Sequence, residues 1–254
     1  MSLSLRGDMS AFDLRLPPTL RCLTLSNGFA GSFTNGVPPS VTVLHLVRRD
    51  NSQPPLTSFI AQVPNLQRLN IDGDLELTPE QEASDEAHAV HITWPKHVTE
   101  LMLLGHRCCC NLPDTLQQLT LWDSPLLAAR ALPLGLQSLQ VTVNHYSTEL
   151  PALPEGMREL SIRVYGRAAV RVPQLPSTLK TLSITAMFNY SIIDWAAPPV
   201  PLPKALEVAT HGVDTDAPLG DLPANLRELS LFECGGSFNK PLPALPASLR
   251  VEWL

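Results

Sequence analysis

Charge is scarce in this chain of 254 residues. Asp, Glu, Lys and Arg make up 17% of it, and 18 basic against 24 acidic residues leave a net charge of −6. A surface that holds nucleic acid through its phosphates needs the opposite excess, which argues against nucleic-acid binding. Long apolar runs are missing as well. No window approaches the ~18 apolar residues of a membrane span, so no membrane association is expected. The N-terminal MSLSLRGDMSAFDLRLPP is broken by Arg6, Asp8, Asp13 and Arg15 and offers no signal-peptide core. Five cysteines, three of them consecutive at Cys108, Cys109 and Cys110, give neither an even disulfide framework nor a Cys-x-x-Cys pair. The expected setting is reducing and cytoplasmic.

Signatures of chemistry are missing too. There is no Gly-x-Ser-x-Gly, no phosphate-cradling glycine-rich loop and no His-Glu-x-x-His. His88 and His91 could share a helix face, but His97 and His106 fall on other segments, so no metal site is expected. His106-Arg-Cys-Cys-Cys invites a nucleophile reading, since a thiolate needs a basic neighbour. Cysteine is also among the most buried residue types, and three of them just past a strand fit a turn. Arg6-Gly7-Asp8 and Asn189-Tyr190-Ser191 match an integrin tripeptide and a glycosylation acceptor, both short enough to be coincidental. The chain is therefore read as non-enzymatic, with no cofactor.

Hydrophobic residues, at 44%, suffice for a large core, and 25 prolines are spread along the whole length. Their spacing is periodic. The phrase Pro-x-x-[Leu/Val/Met]-x-x-Leu-x-[Leu/Ile/Val] fits eight times, starting at Pro17, Pro38, Pro95, Pro113, Pro133, Pro154, Pro176 and Pro223. Val63 to Ile71 is a shortened copy, and degraded copies begin at Pro203 and Pro246. The opening Leu3-Ser-Leu5 reads as a copy without its front. In Leu-x-Leu, period-two alternation puts both leucines on one side of a short strand. One such strand cannot bury its leucines alone, whereas stacked copies form a continuous core. Proline suits the extended approach to each strand. The end of the last copy places Glu252 where a core leucine belongs and Trp253 at a mid-strand position.

Leu-x-x-Leu-x-Leu in short units resembles the leucine-rich repeat. Leu136 to Ile162 is similar to the LPX-type repeats of enterobacterial secreted effectors, with Asn144 at the usual asparagine position. Leu226 to Leu249 looks like the FNIP-type repeats of slime moulds and giant viruses, with Phe238 and Asn239 echoed by Phe188 and Asn189. Most copies lack the asparagine, so the family's asparagine ladder is largely lost. The resemblance implies a leucine-rich-repeat solenoid (horseshoe), an α/β repeat that is mostly β. It has one parallel sheet of about 10–12 short strands and a largely extended convex side. The expected organisation is one solenoid over residues 1–254. Its two insertions fall at about 72–93, with a helix from about Pro79 to Ala89, and at the proline-rich 187–203.

Such a scaffold binds a protein partner on its concave face. An alternative is the recognition subunit of a ubiquitin ligase or a host-directed effector module. Mid-strand positions read Thr24, His45, Asn70, Met102, Thr120, Gln140, Ser161, Ser183, Thr210 and Ser230, mostly small and polar. A basic row runs beside them at Arg21, Arg158, Lys180, Arg227 and Arg250. Against this background Met102, Leu104, Trp122 and Phe232 stand out as protein-binding candidates, with Leu104 and Trp122 expected to touch across neighbouring strands. The chain shows no recognisable cap for either end of the stack, which raises self-association as a further expectation.

Overall fold

The computed structural model describes residues 1–7, 13–26, 32–33, 35–47, 60–73, 93–105, 111–123, 131–144, 147–166, 168–186, 192–195, 202–212, 221–231 and 244–253. Both insertions lie mainly outside these residues, including the expected helix. So do Phe188, Asn189, Phe232, Phe238, Asn239 and the three consecutive cysteines. The chain divides into two compact units, Met1–Thr120 and Leu121–Leu254.

The first unit contains β1 (Ser2–Arg6), β2 (Asp13–Leu14), β3 (Cys22–Ser26), β4 (Ser32–Phe33), β5 (Val43–Val47), β6 (Arg68–Asp72) and β7 (Glu100–Leu104). The division falls within β8 (Gln118–Trp122). The second contains β9 (Ser138–Val143), β10 (Thr148–Glu149), β11 (Glu159–Val164), β12 (Ala169–Val172), β13 (Thr181–Ala186) and β14 (Ile192–Trp195). It ends with β15 (Val208–Gly212), β16 (Glu228–Leu231) and β17 (Arg250–Trp253). Among the described residues twelve strands carry the repeat phrase. In the first unit they pair in parallel in the order β1-β3-β5-β6-β7. In the second the order is β9-β11-β13-β15-β16-β17.

Register stacks like on like: Leu23 faces Leu44, and Leu44 faces Leu69. Leu139 faces Leu160, and Leu160 faces Leu182. These leucines and the apolar residue three positions earlier, such as Leu20, Val41, Leu136 and Leu179, are buried. Away from the main ladder, short strands again pair in parallel, β2 with β4 and β10-β12-β14 in order. The described return path is thus extended, as so short a unit requires.

Proline's place in the phrase is a turn. In every described copy the carbonyl of the first residue accepts the N–H of the apolar residue three later, as in Pro17 to Leu20 and Pro176 to Leu179 at 3.0 and 3.2 Å. The shortened copy makes the same turn from Val63 to Leu66, so its proline has moved to the second position, where φ near −65° also suits a β-turn. Each turn swings its apolar residue inward. The chain then enters the strand with two successive N–H groups sharing one carbonyl of the previous copy. Arg158 and Glu159 both donate to Gln137 O at 2.8 and 3.0 Å, and Lys180 and Thr181 to Arg158 O at 2.8 and 3.0 Å.

Carbonyls left over in the turns find a partner that the sequence reading missed. The third turn position carries Ser40, Asn65, Thr115, Thr178, Asn225 or Ser248, and each side chain donates to a turn carbonyl one copy earlier. Ser40 Oγ reaches Pro18 O and Leu20 O at 2.7 and 2.6 Å. Thr178 Oγ1 lies against Glu155 O and is 2.9 Å from Met157 O. A hydroxyl and amide row thus ties these turns to the ones before them. Thr178→Val, which keeps the shape and removes the donor, is expected to lower stability by about 1 kcal/mol in denaturant melts. Thr178→Ser should stay close to wild type.

The last copy departs from the expected alignment. Val251 pairs with Leu229, Glu252 with Ser230 and Trp253 with Leu231. Glu252 is therefore not at a core register position, and Trp253 is not mid-strand. Slipping by one residue exchanges the two faces of a strand, and this slip aligns the apolar pair with the core leucines while sparing a carboxylate. Arg250 accordingly aligns with Glu228 and leaves the basic row.

Candidate functional site

The strand face opposite the core is where recognition chemistry can be displayed. On it Met102 is half-buried at the middle of β7, paired in register with Asn70. Leu104 is half-buried at the end of the same strand and pairs with Asp72. Trp122 is 46% exposed at the end of β8. Leu104 belongs to the first unit and Trp122 to the second.

Within the second unit the partner of Trp122 is Tyr165. Their ring centroids are 6.3 Å apart and their planes differ by 17°, a stacked pair. Such pairs contribute about 0.5–1.5 kcal/mol beyond area burial. Thr142, on the same outer face of β9, is only 7% exposed, consistent with two large rings crowding the strand between them.

The backbone that delivers these rings is built from a strand-end turn. Asp123 adopts φ 52°, a left-handed conformation that short polar side chains tolerate better than most. Its N–H donates to Thr142 O at 2.7 Å, and its Oδ1 accepts the N–H of Asn144 at 3.1 Å. Tyr165 N–H donates to Val143 O at 2.7 Å. Tyr165 sits beyond β11 because β9, β11 and β13 run one residue longer, burying Val143, Val164 and Ala186 as a further core layer. That layer was visible in the sequence as one more alternation in VTV, IRV and ITA.

The first unit presents a polar cluster. His45 is half-buried on β5, and its Nδ1 lies 3.4 Å from Asn70 Nδ2 on the next strand. Burial first, and then the nearby Arg68 guanidinium, push the His45 imidazole below its ordinary value of 6.5. Arg68 is held by an ion pair to Glu100 on β7, which raises its already high value. Cys22, a free and half-buried thiol, lies on β3 of the same unit. Among the described residues no three His, Cys, Asp or Glu side chains converge on a point where a metal could sit. The basic row is partly neutralised, since Lys180 Nζ is 2.9 Å from Glu207 Oε1 and holds that carboxyl below its usual value.

Parallel ladders of Leu-x-Leu strands, each entered through an inward-turned apolar residue, define a leucine-rich-repeat solenoid. A solved leucine-rich-repeat structure has the same fold. The circular leucine-rich-repeat protein CroV588 aligns at 18% identity with a TM-score of 0.54, over 99% of this chain. The chain spans 43% of the length of CroV588. YopM from Yersinia enterocolitica aligns at 18% identity and a TM-score of 0.34, over 93% of this chain and 60% of its own. A leucine-rich-repeat protein from Bacteroides ovatus aligns at 13% identity and a TM-score of 0.22, over 100% of this chain and 83% of its own. No family model and no curated protein matches the sequence.

Proposed function

We propose that the chain is a non-enzymatic protein-interaction scaffold that binds a protein partner on the concave, solvent-facing side of its parallel strands, in a reducing intracellular setting. The observation that carries this reading is Trp122, nearly half exposed on a face that is otherwise mostly small and polar. A large ring held by a stack on Tyr165 is ready to bind without first losing rotamer freedom, which is the usual property of an interface anchor. On the first unit Met102 and Leu104 are half-buried apolar candidates in their own right, and Phe232, outside the described residues, is a further separate candidate.

The test is quantitative capture from the native cell with the full chain and its Trp122→Ala variant as baits, followed by affinity measurement on the partner recovered. Trp122→Ala should weaken binding about thirtyfold, corresponding to about 2 kcal/mol. The thermal melt should move only by the loss of one exposed aromatic pair. Unchanged binding with a strongly lowered melt would assign Trp122 to the fold and sink the reading. Ligase components among the Trp122-dependent partners would make the scaffold a ubiquitin-ligase recognition subunit. Recovery of nothing but the bait's own sequence would replace an external partner by self-association.

A further inference from the structure

We propose that His45 and Asn70 form a proton-operated hydrogen-bond toggle that reverses what the face of the first unit offers to a partner. The two residues occupy equivalent mid-strand positions on adjacent strands, paired in register, with His45 Nδ1 and Asn70 Nδ2 3.4 Å apart. An amide nitrogen can only donate, so in this arrangement Nδ1 is the acceptor and the ring proton of neutral His45 is on Nε2. The carbonyl end of Asn70 is then the end left to face other groups.

Adding a proton from solvent to Nδ1 turns that atom into a donor. Two donors cannot share the contact, so the Asn70 amide must turn over and let Oδ1 accept from Nδ1–H. The end of the amide that was a carbonyl acceptor becomes an NH2 donor. A positive charge appears on the ring at the same time. One proton thus exchanges an acceptor for a donor plus a cation at the centre of the face.

The surroundings set the range in which this happens. From β3 the facing groups are Cys22 and Thr24, and from β6 they are Arg68, Asn70 and Asp72. Glu100 of β7 is engaged with Arg68, and β5 itself has no titratable side chain other than His45. Partial burial, and then the Arg68 guanidinium, oppose a second cation and hold His45 below its ordinary 6.5, so the toggle operates on the acid side of that value. The use of the toggle in recognition rests on the scaffold reading; the toggle itself does not.

The test therefore needs no partner. The full chain, labelled with 15N, is titrated from about pH 8 to about pH 5 while the His45 ring nitrogens and the Asn70 side-chain NH2 are followed by NMR. The expected result is an unprotonated Nδ1 at neutral pH, and Asn70 NH2 signals that move with the His45 midpoint, which lies below 6.5. His45→Gln should abolish the Asn70 movement. Three results would each overturn the proposal. One is a proton on Nδ1 at neutral pH; another is an Asn70 side chain indifferent to the His45 midpoint; the third is the same Asn70 movement in His45→Gln. Failure of Trp122→Ala to affect partner capture would leave all of these readouts in place, so the two ideas fail separately.

Discussion

Truncating Leu160 or Leu182 to alanine is expected to cost about 2–5 kcal/mol each, the range found for fully buried leucines. Leu160 is 1% exposed and Leu182 is 5% exposed. They face each other in the ladder, with Leu139 on the far side of Leu160. Each therefore fills a layer between two neighbours that cannot collapse inward without breaking strand pairing, and the cavity left behind stays open. Ser161→Ala and Ser183→Ala test the opposite face of the same two strands. They lie on the half-exposed side and should fall within about 0.5 kcal/mol of the parent. Denaturant melts of the four variants make the comparison internal to one pair of strands. Serines costing more than leucines would mean that the two faces had been assigned the wrong way round.

That contrast also shows which parts of the molecule could be read without coordinates. A period of two and a phrase repeated with proline in a constant place leave little freedom: Leu139, Leu160 and Leu182 had to stack, and they do. Degraded copies were harder, because alignment by spacing alone ignores the cost of a misplaced charge. In the last copy the spacing pointed to Glu252 as a core position, yet the strand is displaced by one residue so that Val251 and Trp253 align with Leu229 and Leu231. Proline was read as an extended approach, whereas its carbonyl closes a turn. The hydroxyl at Thr178 is a similar case. Its role depends on a carbonyl about twenty residues earlier, which becomes a neighbour only after the coils have stacked.

The candidate site was half legible. Trp122 stood out because its position in the phrase is usually polar. Tyr165 did not, because it lies past the end of the phrase. Its place depends on three strands each running one residue further and on the bond from its N–H to Val143 O in the neighbouring coil. The His45–Asn70 pair was visible only as two polar letters in a column. Its significance comes from the donor and acceptor geometry across the strands, which a one-dimensional pattern does not carry.

Gly166→Ala is the second substitution with a large expected effect, and it tests the turn that holds Tyr165. Gly166 has φ +68°, and a Cβ built on it would stand 2.9 Å from the backbone oxygen of Asn144 and 3.6 Å from its Oδ1. Gly105 is also left-handed, with φ +74°, but among the described residues a Cβ there would meet nothing within 4 Å. The two positions separate conformation from contact. Gly105→Ala should cost only the left-handed penalty, about 1–2 kcal/mol. Gly166→Ala adds the displacement of a backbone carbonyl in the neighbouring coil, for a total of about 2–4 kcal/mol. Asn144 cannot retreat freely, since its N–H is held by Asp123 Oδ1, next to Trp122 in the chain. Strain at Gly166 should therefore reach the aromatic pair as well as the melt, and partner binding should weaken in Gly166→Ala but not in Gly105→Ala. Equal costs at the two glycines, with binding intact in both, would show that the Asn144 carbonyl gives way easily and that Tyr165 is not positioned by this turn.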